Sequence, residues 1–479
     1  MTSGSKVVRL LLEGPIEDFL SLDGQSRICN WLYNNLLEKA NMLKSEFIET
    51  KNSDVAKTLY TERGLRNLLP AMKQELPFLK SVHSSPLKNT ALRLSASIQA
   101  HQKSKKGKRK GDVVGWPKFR SWKADWFSLL YDEPGKGFKV TGNQLTLSLG
   151  IGEESRRKSI TFTLRESHLL SDQTIRTLRI SKEAGHYYAI FTITTTLLAK
   201  KPITKIIALD PNHKNLAYGV DNNGKAVEID SPSWLKTFDT RIDELKSKRD
   251  CCQKKAKKVP VTDEKGVPTG KEFSQPSRRW QKYNNTLEKA LHKRREQTKT
   301  LGYTIAHRLY KQYDCVAIGN YTPDGSGKTK KMRRAMNNRS MIGRFKETLK
   351  WVAEKSGKTY LEYDEEGTTR TCHQCRYRHS NGLHPSIRQW ECPDCKAYHL
   401  RDENAALNGL KRVLNDPKIK SEMRVSTVPG SGLDSVTERW AWRVLPSGIV
   451  ISRGQNGDQT QASRNEIEGV IAFGQKVAH

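Results

Sequence analysis

Two cysteine pairs, Cys372/Cys375 and Cys392/Cys395, stand in a C-x2-C-x16-C-x2-C array. Two close thiolate pairs brought together by a hairpin satisfy tetrahedral Zn2+, and this spacing is one that reads as a zinc site. Four sulfurs leave no open position for water, so the expected role is structural. Two aspartates stand out by their settings. Asp210 closes the apolar run Ile206-Ile207-Ala208-Leu209 and is followed by Pro211-Asn212-His213-Lys214-Asn215-Leu216-Ala217. Asp402 lies just past the second cysteine pair, in Arg401-Asp402-Glu403-Asn404-Ala405-Ala406-Leu407-Asn408. Taken alone, either reads as a turn or cap residue. The acidic stretch Glu362-Tyr363-Asp364-Glu365-Glu366 is, in its plainest reading, a solvated turn.

Composition narrows the partner. Lysine plus arginine number 84 against 51 aspartate plus glutamate, a formal charge of +33 over 479 residues. An excess of that size repels itself unless it meets a polyanion, which makes nucleic acid the natural partner. No apolar run approaches the ~18–20 residues of a membrane span. Val7 to Leu12 is too short for a signal peptide and is interrupted by Arg9. The expected location is a reducing cytosol, the prokaryotic cytoplasm, with no membrane partner. There Cys29, Cys251, Cys252 and Cys315, which lack ligand spacing, are ordinary thiols.

The elements that must position these groups follow from pattern. Val7 to Leu12 reads as a strand, and Ile16 to about Ala100 as helical, with Ile28, Trp31, Leu32, Leu36 and Met42 near helical spacing. A basic loop holds Lys105, Lys106, Lys108, Arg109 and Lys110. From Gly115 the pattern turns to strands, with Trp116, Phe119, Trp122, Trp126 and Phe127 expected mainly in the core of a small barrel. After Pro202 come a buried strand ending at Asp210 and a hairpin around Asp221-Asn222-Asn223-Gly224. Two basic helices at 236–258 and 278–312 follow, separated by a loop at 259–277. A strand at Val316–Ile318, an amphipathic helix over 338–356 and a strand at 358–363 complete an α/β pattern with a mixed sheet.

A strand ending in D-x-x-x-K-N-L-A, then the double C-x2-C ribbon, then D-x-N-A-A-x-N resembles the RuvC nuclease half of TnpB proteins and compact type V CRISPR effectors over about residues 203–412. The resemblance implies a multidomain α+β, bilobed protein. It comprises a wedge-like β-barrel (1–15 and 112–202) with a helical recognition insert (16–111). An RNase H-like RuvC domain (203–368 and 401–414) would carry the inserted zinc ribbon (369–400), leaving a C-terminal extension of unknown role (415–479). It implies an RNA-guided DNA endonuclease working by metal-assisted phosphodiester hydrolysis, with carboxylates holding two Mg2+ ions about 3.5–4 Å apart. Asp210 is then the first carboxylate and Asp402 the third.

The second acid is displaced. The family usually ends the strand corresponding to Val316–Ile318 in glutamate, whereas here the chain reads Ile318-Gly319-Asn320-Tyr321. Either the site is silent, leaving an RNA-guided DNA-binding repressor, or another acid substitutes. Some relatives, Fanzor-like ones among them, carry glutamate shortly before a T-S/T-K/R-T-C segment. Thr368-Thr369-Arg370-Thr371-Cys372 resembles it and places Glu365 as the substitute, with Glu366 next. The implied partners are a guide RNA and target double-stranded DNA with a short flanking motif, bound by a monomer or by a homodimer on one guide. Lys248, Arg249, Arg278, Arg279, Arg294 and Arg295 are expected to line the nucleic-acid channel with the 105–110 loop. A zinc-containing DNA-binding protein that uses no RNA is the reading from a different class.

Overall fold

The computed structural model describes residues 3–109, 111–120, 126–151, 156–171, 173–196, 198–262, 267–323, 327, 329–336, 340–380, 382–384, 386–423, 435–453 and 467–472. Trp122 and Lys110 lie outside these residues. The chain divides into two compact units, Met1–Thr196 and Leu197–His479. No helix among the described residues is long and apolar enough to cross a membrane.

The first unit opens with strand β1 (Ser3–Glu13) and continues through helices α1 (Ile16–Thr50), α2 (Ser53–Tyr60), α3 (Leu69–Glu75) and α4 (Ser84–Lys105). Strands β2 (Leu129–Tyr131), β3 (Phe138–Thr141), β4 (Gln144–Ile151), β5 (Arg157–Leu164), β6 (Ile175–Glu183) and β7 (His186–Thr196) follow. They form one antiparallel sheet in the order β2-β6-β7-β1-β5-β4-β3. β1 joins its two halves, pairing over Ser3–Leu11 with β7 and at Leu12 and Glu13 with β5. The two edge strands, β2 and β3, are consecutive in the chain and joined only by residues 132–137, so the sheet must curl to bring its ends within reach. Among the described residues β2 and β3 are not hydrogen-bonded to each other, so the barrel-like sheet is curled. Alternate residues such as Leu145, Leu147, Phe162, Leu164, Phe191 and Ile193 face inward. They share a core with Leu22, Cys29, Leu32 and Leu36 of α1 and Leu87, Leu94 and Ile98 of α4. Phe127 is in that core and Trp116 and Trp126 pack against it, while Phe119 is exposed.

The second unit begins with β8 (Ile206–Asp210), β9 (Asn215–Asp221) and β10 (Lys225–Asp230). Next are α5 (Leu235–Lys254), β11 (Lys258–Thr262), β12 (Pro268–Ser274), α6 (Arg278–Gln312) and β13 (Cys315–Gly319). The chain proceeds through α7 (Lys330–Arg334), α8 (Ile342–Ser356), β14 (Thr359–Tyr363), β15 (Gln389–Glu391), β16 (Tyr398–Leu400), α9 (Arg401–Asn415) and α10 (Pro417–Glu422). Strands β17 (Glu438–Leu445), β18 (Gly448–Arg453) and β19 (Ile467–Ala472) come last. Eight of these strands form a mixed sheet in the order β14-β13-β8-β9-β10-β17-β18-β19. The three strands β14, β13 and β8 are parallel neighbours, so their C-terminal ends share one edge. α6 and α8 pack on one face and α9 and α10 on the other. β8 and β13 are therefore buried throughout, which explains their unbroken apolar runs.

Two expectations change. The 259–277 segment is not a plain loop but carries the β11–β12 hairpin. The region beyond 414 is not separate from the mixed sheet: β17 pairs parallel with β10, and β18 and β19 extend the sheet beyond it.

Candidate active site and metal centre

Strand register sets the carboxylate site. Leu209 aligns with Ile318 and Ile318 with Glu362, so Asp210, Gly319 and the end of β14 reach the same sheet edge. Glu365 lies two residues past β14. Its backbone N–H donates to Asn320 Oδ1 at 3.3 Å, and the Asn320 N–H donates to Tyr363 O at 2.9 Å. These bonds fold the chain back over β13. A Cβ built on Gly319 would lie 2.1 Å from Glu365 Oε2, closer than any side chain tolerates. The Glu365 carboxylate thus occupies the space above β13 that the glycine leaves open.

The acids at this edge shift one another's titration. Asp210 is buried, and its carboxyl is pushed well above the ordinary range, first by burial and then by Glu365 and Asp402. Burial pushes Glu365 up to about 7, against the pull of the Lys346 ammonium and the Tyr321 backbone N–H. Glu365 Oε2 is buried with no hydrogen-bond partner among the described residues. A buried acceptor left without a donor is costly. Hard oxygen donors from three elements suit a divalent cation such as Mg2+ by their chemistry, while the carboxylate oxygens of Asp210, Glu365 and Asp402 do not all lie within 4.8 Å of one another. Glu366 is aimed elsewhere: its largely exposed carboxylate is 3.7 Å from Arg378 and 3.9 Å from Arg370. Glu362 accepts from Tyr360 at 2.8 Å and pairs with Lys346 at 3.4 Å.

Asp402 sits in the first turn of α9, where an acidic side chain also complements the helix dipole. Arg388, just before β15, pairs with it at 3.6 Å. The asparagines that follow act on the backbone beside the site. Asn404 and Asn408 both donate to Thr368 O and Thr371 O, at 2.7–3.2 Å, and Asn404 Oδ1 accepts the His373 N–H at 3.0 Å. Arg412 adds a bond to Glu366 O at 2.8 Å. The segment from Glu365 to the first cysteines is in this way stitched to the helix that carries Asp402. Close packing completes the junction: Tyr363 donates to Leu209 O at 2.9 Å, and a Cβ on Gly409 would lie 2.4 Å from the Tyr363 hydroxyl oxygen.

The four cysteines form a second centre. Their Sγ atoms lie within 4.8 Å of one another, with Cys372–Cys395 at 3.7 Å and Cys375–Cys392 at 3.5 Å. Each pair is closed by the same turn. Arg376 N–H donates to Cys372 O and Lys396 N–H to Cys392 O, and both donors are left-handed, at φ 70° and 62°. Strands β15 and β16 pair antiparallel beside the second knuckle. Four soft donors converging from two matched knuckles fit a tetrahedral metal.

The family described as Cas12f1-like, TNB domain, matches residues 343–409, which run from α8 through β14 and the ribbon into α9. TnpB-like proteins L79 and L770 of Acanthamoeba polyphaga mimivirus are each 29% identical over 140 residues, 28% of this chain and 26% of theirs. The match spans about a quarter of the length of these curated relatives. The cryo-EM structure of a Cas12f1-sgRNA-target DNA complex contains a chain of like fold, with a TM-score of 0.52 at 14% identity, covering 84% of this chain and 83% of that one. The chain is similar to TnpB-like proteins and to compact type V effectors.

In this TnpB-like chain the expected nucleic-acid contacts are not equivalent. Lys105, Lys106, Lys108 and Arg109 are exposed at and just beyond the end of α4, and Lys248, Arg278, Arg279 and Arg295 are exposed on α5 and α6. Arg249 pairs with Asp250 at 2.8 Å. Arg294 instead bonds Asp239 at 2.6 Å, with both side chains largely buried, and so holds α6 against α5. Sequence reasoning missed Asn320, Asn404, Asn408 and Arg412 as organisers of the site. Asn404 and Asn408 were visible as the constant polar positions of the D-x-N-A-A-x-N stretch. It also missed Glu403, which accepts from Tyr218 of β9 at 2.9 Å and from Arg439 of β17 through two bonds of 2.9 Å. The last strands thereby grip the residue next to Asp402, and nothing in their sequence signals it.

Proposed function

We propose that the protein is an RNA-guided DNA endonuclease whose RuvC-like site uses Asp210, Glu365 and Asp402. The observation that carries this reading is the Glu365 carboxylate lying over Gly319. The chain keeps an acid at the vacated place by supplying it from the neighbouring parallel strand, an arrangement that a silenced site has no need to maintain. Bound Mg2+, expected as two ions, would supply an activated water and charge stabilisation at the leaving oxygen. The chain's own residues do the rest. β8 and β14 hold Asp210 and Glu365 at one edge, Asn320 fixes the turn that carries Glu365, and the asparagine clamp ties that turn to Asp402. The cysteine ribbon takes structural Zn2+ through Cys372, Cys375, Cys392 and Cys395. The charge of +33 suits a protein that must neutralise a guide RNA and a DNA duplex together, with base pairing reading sequence and the protein reading a short flanking motif.

The test begins with expression beside the native flanking DNA and sequencing of the RNA that copurifies. A discrete structured RNA should emerge and should direct Mg2+-dependent cleavage of matching DNA. Glu365→Gln should abolish cleavage while leaving guide-dependent DNA binding intact. A protein with its ribbon intact that carries no discrete RNA would overturn the guided reading.

A further inference from the structure

The first unit holds a cavity of about 440 Å³ between α3 and the start of α4. Arg66, Lys73 and Lys88 line it together with Asn67 and Ser84, and no carboxylate belongs to the lining. All three cations are half-buried. Lys88 has a carboxylate outside the lining, Glu133 at 3.0 Å. The side chains of Arg66 and Lys73 have no hydrogen-bond or ion-pair partner among the described residues. The two lysines also crowd each other. Burial first, and then Lys88, hold the Lys73 amine below the lysine range. Burial likewise lowers the neighbouring His83, with Lys88, Lys73 and Arg157 adding to the effect against Glu133. A solvated basic face projects its charges apart into water. Here they converge on a concavity, where part of their hydration is lost and, among the described residues, Glu133 alone pairs with one of them.

An anion entering the cavity would relieve that repulsion. The volume is that of a small-ligand site, far below what a protein partner requires. Leu69 and Pro70 supply an apolar wall, while the Asn67 amide and Ser84 hydroxyl supply neutral donors and acceptors beside the cations. Charge, size and mixed lining together match one nucleotide unit: a phosphate for the cations and a sugar or base edge for the wall.

We propose that this cavity is a nucleotide-phosphate site, taking one phosphodiester unit of a nucleic-acid strand between Arg66, Lys73 and Lys88. It deepens the reading that the chain binds nucleic acid and does not depend on cleavage. The test is lysine acetylation of the full wild-type chain, quantified by mass spectrometry at Lys73, with the exposed Lys57 as internal reference. The chain is labelled alone, with a uridine homopolymer RNA, and with a random-sequence DNA duplex, each at a concentration that filter binding shows to be saturating. Lys73 labelling should fall several-fold in at least one arm, and the protected arm identifies whether the strand is RNA or DNA. The Arg66→Gln/Lys73→Gln variant should then bind that nucleic acid with a salt slope smaller by about 1, as expected for one lost phosphate contact. Unchanged Lys73 labelling in a saturated complex would overturn the pocket while leaving nucleic-acid binding standing. Failure to bind either polymer would overturn both.

Discussion

The cysteine ribbon and the carboxylate site meet at the start of α9, yet they are assembled in opposite ways. Each ribbon knuckle is closed locally: Arg376 and Lys396 bond back to Cys372 and Cys392 within a few residues. What remains is to bring two finished half-sites together, and a metal does that directly. The carboxylate site has no local half. Asp210, Glu365 and Asp402 come from a strand end, a turn and a helix, and they converge only because β8, β13 and β14 are in parallel register with α9 packed across them. The ribbon therefore depends on its ligands and the carboxylates depend on the sheet. That is also why one acid can move: a glutamate beyond a neighbouring parallel strand reaches the same edge, provided the strand it replaces ends in glycine.

The contrast can be broken most forcefully at the ribbon. Removing its metal with a strong chelator should cost on the order of 10 kcal/mol of local folding free energy. Hydrogen exchange should then rise sharply over 371–400 while β8 and β13 keep their protection. Equal loss in both places would mean the two regions are one cooperative body.

A smaller effect tests the carboxylate side. Gly319→Ala puts a methyl group 2.1 Å from the present position of Glu365 Oε2 and should displace the carboxylate. Displacement of that order predicts cleavage lower by about 10²-fold with little change in DNA affinity. Wild-type cleavage by this variant would mean that Glu365 is not confined as described.

The smallest effect is on pH dependence. Glu365 is raised to about 7, so between the ordinary glutamate range and about 7 the folded, metal-free chain holds more protons than the unfolded one. Its contribution to stability is complete below that window and is lost as pH rises through about 7. Asp210, raised well above its ordinary range by burial and by the neighbouring acids, acts in the same direction. In EDTA, the melting temperature of the wild type relative to Glu365→Gln should fall across this window. Saturating Mg2+ should remove the difference in slope. A wild type that gains stability over Glu365→Gln with rising pH in EDTA would contradict the burial argument.

How much of this was legible in the sequence follows the same division. The ribbon ligands could be read from spacing because the knuckles are local. The apolar run ending at Asp210 could be read as a strand because buried parallel strands are continuously apolar. By contrast β14, Thr359-Tyr360-Leu361-Glu362-Tyr363, is no such run, and its place beside β13 could not be read from its own pattern. The curl of the first sheet could not, since it depends on which edges the 132–137 connection joins. The last strands were also illegible, because β17 pairs with β10 across a long stretch of chain and no local pattern names that partner. Arg294 makes the same point for charge: a sequence shows that a residue is basic, but only the fold shows that Asp239 already holds it.

The central claim is that Glu365 supplies the acid missing at Gly319, and exchanging the two positions tests it most directly. Mn2+ binding by calorimetry and guide-dependent cleavage would be measured for Glu365→Gly alone and for Gly319→Glu with Glu365→Gly. The single variant should lose both, and the double variant, with the acid returned to the end of β13, should recover both. Full Mn2+ binding and cleavage by Glu365→Gly alone would contradict the account and return the acidic turn to the role of a solvated loop.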